Sequence, residues 1–184
     1  MERSVSEHME IRTERLLLRG FSEQDLDDLF ELCSRDGVGE MAGWPAHRTI
    51  DETQRLLSQW VGDQRQFAVV LREEQKVIGY VALHDDSEEG REDTRELGRA
   101  LDPDYQHQGY MAEALAAVVD HAFQTGVEYL WACCFQHNLP SKRLIEAAGF
   151  TFQQEGTFEA VRLGQTFPSY EYRMTKEEWL QRLR

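Results

Sequence analysis

The sequence predicts a single α/β domain in which one mixed sheet is packed against helices. A chain of 184 residues has the size of one domain, and 41% hydrophobic residues are enough to fill one sizeable core. The apolar pattern also changes along the chain between strand-like and helix-like spacing. The order of segments is a strand, two helices, three strands, a helix, a strand, a helix and two strands. About seven strands and four helices are therefore expected.

The first half of the chain predicts one strand, two helices and a hairpin. The run RLLLRGF, Arg15 to Phe21, indicates a short buried strand. Ser22 and Thr49 each precede an acidic residue by three positions, a capping-box pattern, and apolar residues at helical spacing follow both. Residues 66–84 hold two β-rich runs around a short charged turn, which is typical of an antiparallel hairpin.

The middle of the chain predicts a strand, a long helix and a second strand. The acidic segment 84–93 is expected to be a mobile, solvated loop. Residues 95–102 alternate between two faces, as a strand does. An apolar stripe then begins at Met111 and ends near Gly126, which indicates an amphipathic helix. The run YLWACCF at 129–135 is apolar throughout and predicts a strand covered on both faces.

The last part of the chain predicts a short helix, two strands and a polar end. In NLPSKRLIEAAGF, residues 138–150, Pro140 suits the first turn of a helix, and Gly149 suits the left-handed position that follows its last turn. Two further strands are expected within residues 151–174. A short polar end that contains Trp179 completes the chain.

Composition excludes some functions. The chain has 34 acidic and 20 basic residues, a formal net charge of -14, which disfavours nucleic-acid binding through a broad basic surface. An acidic surface attracts amines and basic polypeptides. The alternative is that the charges only keep the surface solvated and have no functional role. Neither the 3 cysteines nor the 6 histidines show metal-ligand spacing, so no metal is expected. Without an apolar leader or a long apolar run, a cytoplasmic protein with no membrane contact is expected.

The stretch YQHQGYMAEAL, Tyr105 to Leu115, places a glycine at a helix entrance. The first turn of a helix has unpaired N–H groups and partial positive charge, which favour an anion, above all a phosphate. Gly109 has no Cβ to keep a pyrophosphate from the main chain. An ordinary turn glycine is the alternative.

This stretch, together with FQHNLPSKRLIEAAGF, resembles the acetyl-CoA motif of the GNAT N-acetyltransferase superfamily. The pattern Gln/Arg-x-x-Gly-x-Gly/Ala is met by Gln106 and Gly109, and Met111 stands where glycine or alanine is usual. The similarity is greatest to the subgroup that acetylates N-terminal alanine or serine of ribosomal proteins. Its landmarks IRTERLLLRGFSEQD, GYMAEAL, N-x-x-S with AAGF, and MTKEEW follow in the same order from Ile11 to Trp179.

The resemblance implies a GNAT fold: a single α/β domain with a mixed, mostly antiparallel central sheet of about seven strands flanked by four helices. That domain would span residues 1–184, with residues 1–10 as a flexible N-terminal segment. Acetyl-CoA would be the co-substrate, with Leu101 beside the pantetheine arm and Arg143 reaching the phosphates. The implied cofactor-binding residues are Leu101, Gln106, His107, Gln108, Gly109, Tyr110, Met111, Ala112, Asn138, Ser141 and Arg143.

Two residues are implied as catalytic. The attacking amine must lose a proton and the leaving thiolate must gain one or be stabilised. Glu96 matches the position of a general base in relatives, or it is an exposed strand carboxylate. Ser141 is the candidate that protonates or hydrogen-bonds the thiolate, or it caps a helix. Ile145 stands where many members of the superfamily carry a tyrosine acid.

Other sites are ranked lower. Cys133 or Cys134 could be a nucleophile, but their place in an apolar strand favours packing. Tyr170 and Tyr172 could supply the missing acid or simply pack in the core. His84, with its two following aspartates, could line an acceptor cleft or belong to the solvated loop.

The expected function is direct acetyl transfer from acetyl-CoA to a primary amine. The N-terminal amine of a protein is the first acceptor class, by resemblance. A small amine such as a polyamine or aminoglycoside is the second, and a catalytically silent CoA-binding module is the third possibility. A homodimer is left open as the assembly.

Overall fold

A computed structural model describes residues 9–184. These residues form one eight-stranded sheet in the order β1-β2-β3-β4-β5-β6-β8-β7, together with five α-helices. The strands are β1 (Glu10–Arg12), β2 (Leu16–Arg19), β3 (Gln66–Leu71), β4 (Lys76–Asp85), β5 (Thr94–Leu101), β6 (Tyr129–Phe135), β7 (Thr151–Ala160) and β8 (Gln165–Thr175). The helices are α1 (Leu26–Ser34), α2 (Ile50–Trp60), α3 (Tyr110–Gln124), α4 (Leu139–Ala148) and α5 (Lys176–Arg182).

The sheet is mixed and mostly antiparallel, as predicted. Its one parallel pair is β5 with β6, because α3 connects these two strands and reverses the chain direction between them. Strand β8 then pairs antiparallel with β6 on one side and with β7 on the other. The β5–β6 pair therefore lies in the interior of the sheet, where both strands also have an antiparallel neighbour.

The counts of seven strands and four helices were each one too low. Strand β1 has only 3 residues, too few to show a period, and it pairs with β2 in the register Glu10↔Arg19. Helix α5 follows a capping box at Thr175 and buries Trp179, whose ring stacks on Phe123 at 5.4 Å between centroids. Of the segment 1–10 expected to be flexible, residues 1–8 lie outside the described residues, whereas Glu10 begins β1.

Two hydrophobic cores cover the two faces of the sheet. The first contains α3, α4 and α5 and includes the whole predicted stripe of α3, from Met111 to Ala122. The second contains α1 and α2; the predicted capping box at Thr49 begins α2, and the one at Ser22 begins a single 3-10 turn that leads into α1. Among the helices of residues 9–184, none has the length and apolar character needed to span a membrane.

The acidic segment 84–93, expected to be a solvated loop, is only partly a loop: His84 and Asp85 end β4, and the residues after them lead back to β5. Asp86 is buried, and its carboxylate accepts hydrogen bonds from the Thr94 hydroxyl at 2.7 Å and the Glu88 amide at 2.6 Å. A run of charges predicts a solvated loop. It contains no sign that the Asp86 carboxylate is hydrogen-bonded to Thr94 at the start of β5. This turn brings several carboxylates close to the start of β5.

Candidate active site

Strands β5 and β6 separate after a short paired region. Thr94 to Glu96 pair with Tyr129 to Trp131, and no further pair joins these two strands. Residues 97–101 of β5 remain paired with β4 on their other side. The sheet therefore opens beyond Glu96, and one edge of β5 faces this opening.

The main chain of β5 offers hydrogen-bonding groups to the opening. The Asp102 amide donates to the Ile78 carbonyl of β4 at 2.8 Å. Because residues alternate their main-chain direction along a strand, the N–H and C=O groups of Leu97, Arg99 and Leu101 point away from β4. Consistent with this direction, the Leu97 carbonyl accepts from the Arg99 guanidinium at 3.4 Å and the Leu101 carbonyl accepts from the Gln106 side-chain amide at 3.2 Å.

The entrance of α3 faces the same opening. Gly109 is the N-cap residue, with φ +81°, and no side chain caps the first turn. His107 also has a positive φ, +61°. The N–H groups of residues 110–112 have no partner within the helix, and left-handed residues next to such a turn make a concave, anion-binding main chain. This donor set fits a pyrophosphate.

Arg15 holds the α3 entrance in place from the start of β2. Its guanidinium donates to the Glu113 carboxylate at 2.7 Å and to the Gln108 carbonyl at 2.8 Å, and it stacks on the Tyr110 ring at 4.3 Å. Glu113 also accepts from the Thr13 hydroxyl at 2.5 Å. The sequence does not predict this role of Arg15, and its one local signal is the acidic residue Glu113 in the first turn of α3.

A cavity of about 860 Å³ connects the α3 entrance with the opening in the sheet. It brings together ten of the residues expected at the site: Glu96, Leu101, Gln106, His107, Gly109, Tyr110, Met111, Ala112, Asn138 and Ser141. Gln108 and Arg143, both exposed, are not among the lining residues. Met111, the departure from the family pattern, is 8% exposed and packs in the core. Within residues 9–184, no group of three or more histidine, cysteine or acidic side chains could hold a metal ion.

The start of α4 separates the roles of Asn138 and Ser141. Asn138 is the N-cap residue, and its side-chain oxygen accepts from the Ser141 amide at 3.2 Å. The Ser141 hydroxyl is not the cap and instead accepts from the Arg99 guanidinium at 2.5 Å. Ile145, at the position of the usual tyrosine acid, is fully buried in the core.

Glu96 lies at the point where the strands separate. It shares its face of β5 with Ala100 and the α1–α2 core, opposite the face that carries Ser141. Its carboxylate accepts from the Ser87 hydroxyl at 2.9 Å. Burial raises the pKa of Glu96, and the nearby carboxylate of Glu171 raises it further. A carboxylate with a raised pKa is a better proton acceptor near neutral pH.

The alternative chemical groups are poorly placed. Burial raises the pKa of both Cys133 and Cys134, so the reactive thiolate form is disfavoured. The Tyr172 hydroxyl donates to Glu146 at 2.9 Å. Neither Tyr172 nor Tyr170 lines the cavity.

The face of the cavity around Glu96 has an aromatic wall. It is built by the α1–α2 connection, by α2, by strands β4, β6 and β7, and by the β6–α4 connection. The rings are Trp44, Trp60, Tyr80, Phe135, His137 and Phe158, with His84 beside Glu96. Arg162, on the β7–β8 turn, is the basic residue of this wall. Such a wall suits an acceptor that presents an apolar or aromatic group next to its amine.

Comparisons with known proteins agree with this architecture. A sequence profile described as the acetyltransferase (GNAT) domain matches residues 15–151. The chain is 29% identical over 175 residues to the uncharacterized N-acetyltransferase YnaD of Bacillus subtilis. The alignment covers 93% of this chain and 99% of the relative.

Solved structures are similar over nearly the whole chain. The acetyltransferase (GNAT family) from Bacillus anthracis has a TM-score of 0.81 and 27% identity, covering 92% of this chain and 100% of the other. The ribosomal-protein-S5-alanine acetyltransferase from Vibrio fischeri has a TM-score of 0.75 and 21% identity, covering 93% and 98%, and this likeness concerns the fold.

Proposed function

The chain belongs to the GNAT acetyltransferase family, and from this premise we propose that it transfers the acetyl group of acetyl-CoA directly to the N-terminal amine of a protein. The observation that carries the proposal is the opening between β5 and β6. It joins the anion-binding entrance of α3 on one face of the sheet to Glu96 on the other face. Donor and acceptor can therefore meet within the sheet without a covalent enzyme intermediate.

The residues of the opening fit acetyl-CoA. The N–H groups of residues 110–112 would bind the pyrophosphate, and the outward main chain of β5 at Arg99 and Leu101 would bind the pantetheine amides. The side-chain amide of Gln106 donates to the Leu101 carbonyl, and this hydrogen bond would have to break before pantetheine could bind there. When bound, acetyl-CoA supplies the activated acetyl thioester. Ser141 and the Asn138-capped start of α4 would lie near its sulfur, whereas the contact of Arg143 with the phosphates stays a prediction.

Glu96 is the proposed general base. An amine that enters from the aromatic wall meets this carboxylate where the sheet opens, and the raised pKa of Glu96 favours removal of the amine proton directly or through a water. Its Ser87 hydrogen bond fixes the carboxylate, which leaves its other oxygen for the acceptor.

Resemblance and the cavity wall support the proposed acceptor class. The net charge of -14 attracts both small amines and basic polypeptides, so a protein N-terminus is supported by the likeness to the subgroup described above. A small primary amine is the second candidate. The aromatic wall favours one that carries an apolar group over a polyamine, whose several charges would lose hydration there.

An acceptor panel read out as free CoA thiol tests the proposal. It would contain peptides with free N-termini, the same peptides with blocked N-termini and one lysine, apolar primary amines and polyamines. Rapid thiol release with free N-termini alone is the expected result, and mass spectrometry of the peptide locates the acetyl group. Turnover with blocked peptides or with small amines only would reject the N-terminal acceptor, and CoA binding without turnover on any amine would indicate a silent module.

A further inference from the structure

Arg99 places a cation in the opening between β5 and β6. Its Nη2 atom donates to the Ser141 hydroxyl at 2.5 Å and to the Cys133 carbonyl at 3.4 Å, and its Nη1 atom donates to the Leu97 carbonyl at 3.4 Å. All three acceptors are uncharged oxygens. The guanidinium thus joins β5, β6 and α4 without an ion pair to any of them, and it lines the cavity.

The surroundings of Arg99 keep it charged but only weakly compensated. Desolvation lowers its pKa, yet an arginine remains protonated at neutral pH. The titratable groups whose charges act on Arg99 most strongly are Cys134 and Cys133 on β6, Tyr80 on β4 and Glu96 on β5. Burial disfavours ionisation of the tyrosine and of both thiols, and the one carboxyl group among these four, Glu96, lies on the opposite face of the sheet. Room therefore remains for an anion near the guanidinium.

The hydrogen bond between Arg99 and Ser141 fixes the direction of the hydroxyl. A guanidinium has donors only, so the Ser141 oxygen must accept in this bond. Within residues 9–184 no acceptor takes the hydroxyl hydrogen of Ser141, so this hydrogen is free to be donated into the cavity that Ser141 lines. We propose that Arg99 is a positioning residue that presents the Ser141 hydroxyl as a donor to the sulfur of CoA and stabilises the departing thiolate by its charge.

This inference rests on the proposed function and accounts for the missing tyrosine. In the transfer, a bond forms between the amine nitrogen and the acetyl carbon, the carbon–sulfur bond breaks, and its electron pair remains on sulfur. The proton of the amine goes to Glu96. The thiolate can then leave as an anion held by Ser141 and Arg99, and no side chain has to protonate it. A buried isoleucine at position 145 is compatible with that chemistry.

Binding of free CoA tests the proposal independently of turnover. If Arg99 favours the thiolate, the pKa of the CoA thiol is lower in the complex than in water. Affinity for CoA relative to desulfo-CoA, which has the same phosphates but no sulfur, must then rise with pH between the two pKa values. Below the lower pKa, that of the bound thiol, the relative affinity does not change with pH. The slope is at most about tenfold per pH unit, since one proton is released.

The experiment is calorimetric titration of CoA and desulfo-CoA from pH ~6 to ~9. It compares the wild type with Arg99→Met, Arg99→Lys and Ser141→Ala. Arg95→Met is the matched control, because Arg95 lies on the same strand, donates to the Glu92 carbonyl at 2.8 Å and does not line the cavity. The wild type and Arg95→Met should show the rise, Arg99→Met should lose it, and Arg99→Lys and Ser141→Ala should each retain part.

Two results would overturn the inference. One is a flat CoA preference in the wild type, and the other is an equal rise in the wild type and Arg99→Met. Circular dichroism would show whether Arg99→Met folds. If it does not, the inference is overturned if Arg99→Lys and Ser141→Ala, measured separately, both show the same rise of CoA preference with pH as the wild type. A folded wild type that binds neither CoA nor desulfo-CoA would instead reject the proposed function, so the two failures are distinguishable.

Discussion

Gly109 allows a quantitative test of the pyrophosphate site. In Gly109→Ala the alanine would have to keep the left-handed backbone conformation of Gly109, with φ +81°. Its Cβ would lie 3.3 Å from Nη2 of Arg15. The left-handed conformation costs an alanine about 1–2 kcal/mol. At this distance from the new Cβ, the guanidinium of Arg15 must move by a few tenths of an ångström, and because it also holds the Gln108 carbonyl at 2.8 Å, we expect the loop whose N–H groups face the cavity to shift with it.

The expected loss of CoA affinity follows from that displacement. One hydrogen bond from a main-chain N–H to a charged phosphate oxygen contributes about 1.5–3 kcal/mol, so losing it lowers affinity roughly tenfold to hundredfold. Gly126→Ala is the matched control. Gly126 follows the opposite end of the same helix, has φ +104°, and a Cβ there would meet nothing within 4 Å.

Calorimetry of CoA binding and urea unfolding separate the two effects. Both variants should lose about 1–2 kcal/mol in the free energy of unfolding, and only Gly109→Ala should bind CoA more weakly. Equal CoA affinity in the wild type and in both variants would refute a pyrophosphate site at residues 106–112. Equal weakening in both variants would show that strain in α3, and not access to the main chain, controls affinity.

Three further predictions concern residues around the same opening. Glu96→Gln should lower kcat by roughly 10²–10⁴ without changing CoA affinity. Since the base must be ionised and burial raises its pKa, kcat/KM of the wild type should fall with decreasing pH at a higher pH than an ordinary glutamate would give. Arg15→Met should raise the KM for acetyl-CoA and lower the urea midpoint of unfolding only slightly, because Glu113 and the loop lose a charged donor that is itself exposed to solvent. The double variant Cys133→Ala, Cys134→Ala should keep the wild-type rate of thiol release, and loss of that rate would point to an acyl-enzyme.

The parts of the site that the sequence predicts are those encoded locally. The stripe of α3 and the glycine before it are a few residues apart, and the structure places the stripe in the core and Gly109 at φ +81°. The capping boxes at Ser22 and Thr49 are local in the same sense. Each such pattern describes hydrogen bonds and contacts within one or two turns, so no knowledge of the rest of the fold is needed.

The parts that the sequence does not predict depend on contacts across the fold. Arg15 and Glu113 are 98 positions apart, and their ion pair exists because β2 lies beside the start of α3. Arg99 and Ser141 are 42 positions apart and meet across the opening of the sheet. Strand alternation places Arg99 on the face of Leu97 and Leu101, but only the separation of β5 from β6 shows that its charge has a cavity in front of it.

The separation of β5 and β6 also explains why so few side chains are needed for the chemistry. Where two parallel strands part, one edge keeps its hydrogen-bonding groups without a strand to satisfy them, and in water they would bind solvent. In the proposed function, the amide chain of pantetheine would lie along this edge in place of the missing strand and bring the thioester to the last paired residue, Glu96. Glu96, the proposed base, lies on one face of the sheet, and Ser141 and Arg99 lie on the other, so the acetyl carbon would react between them.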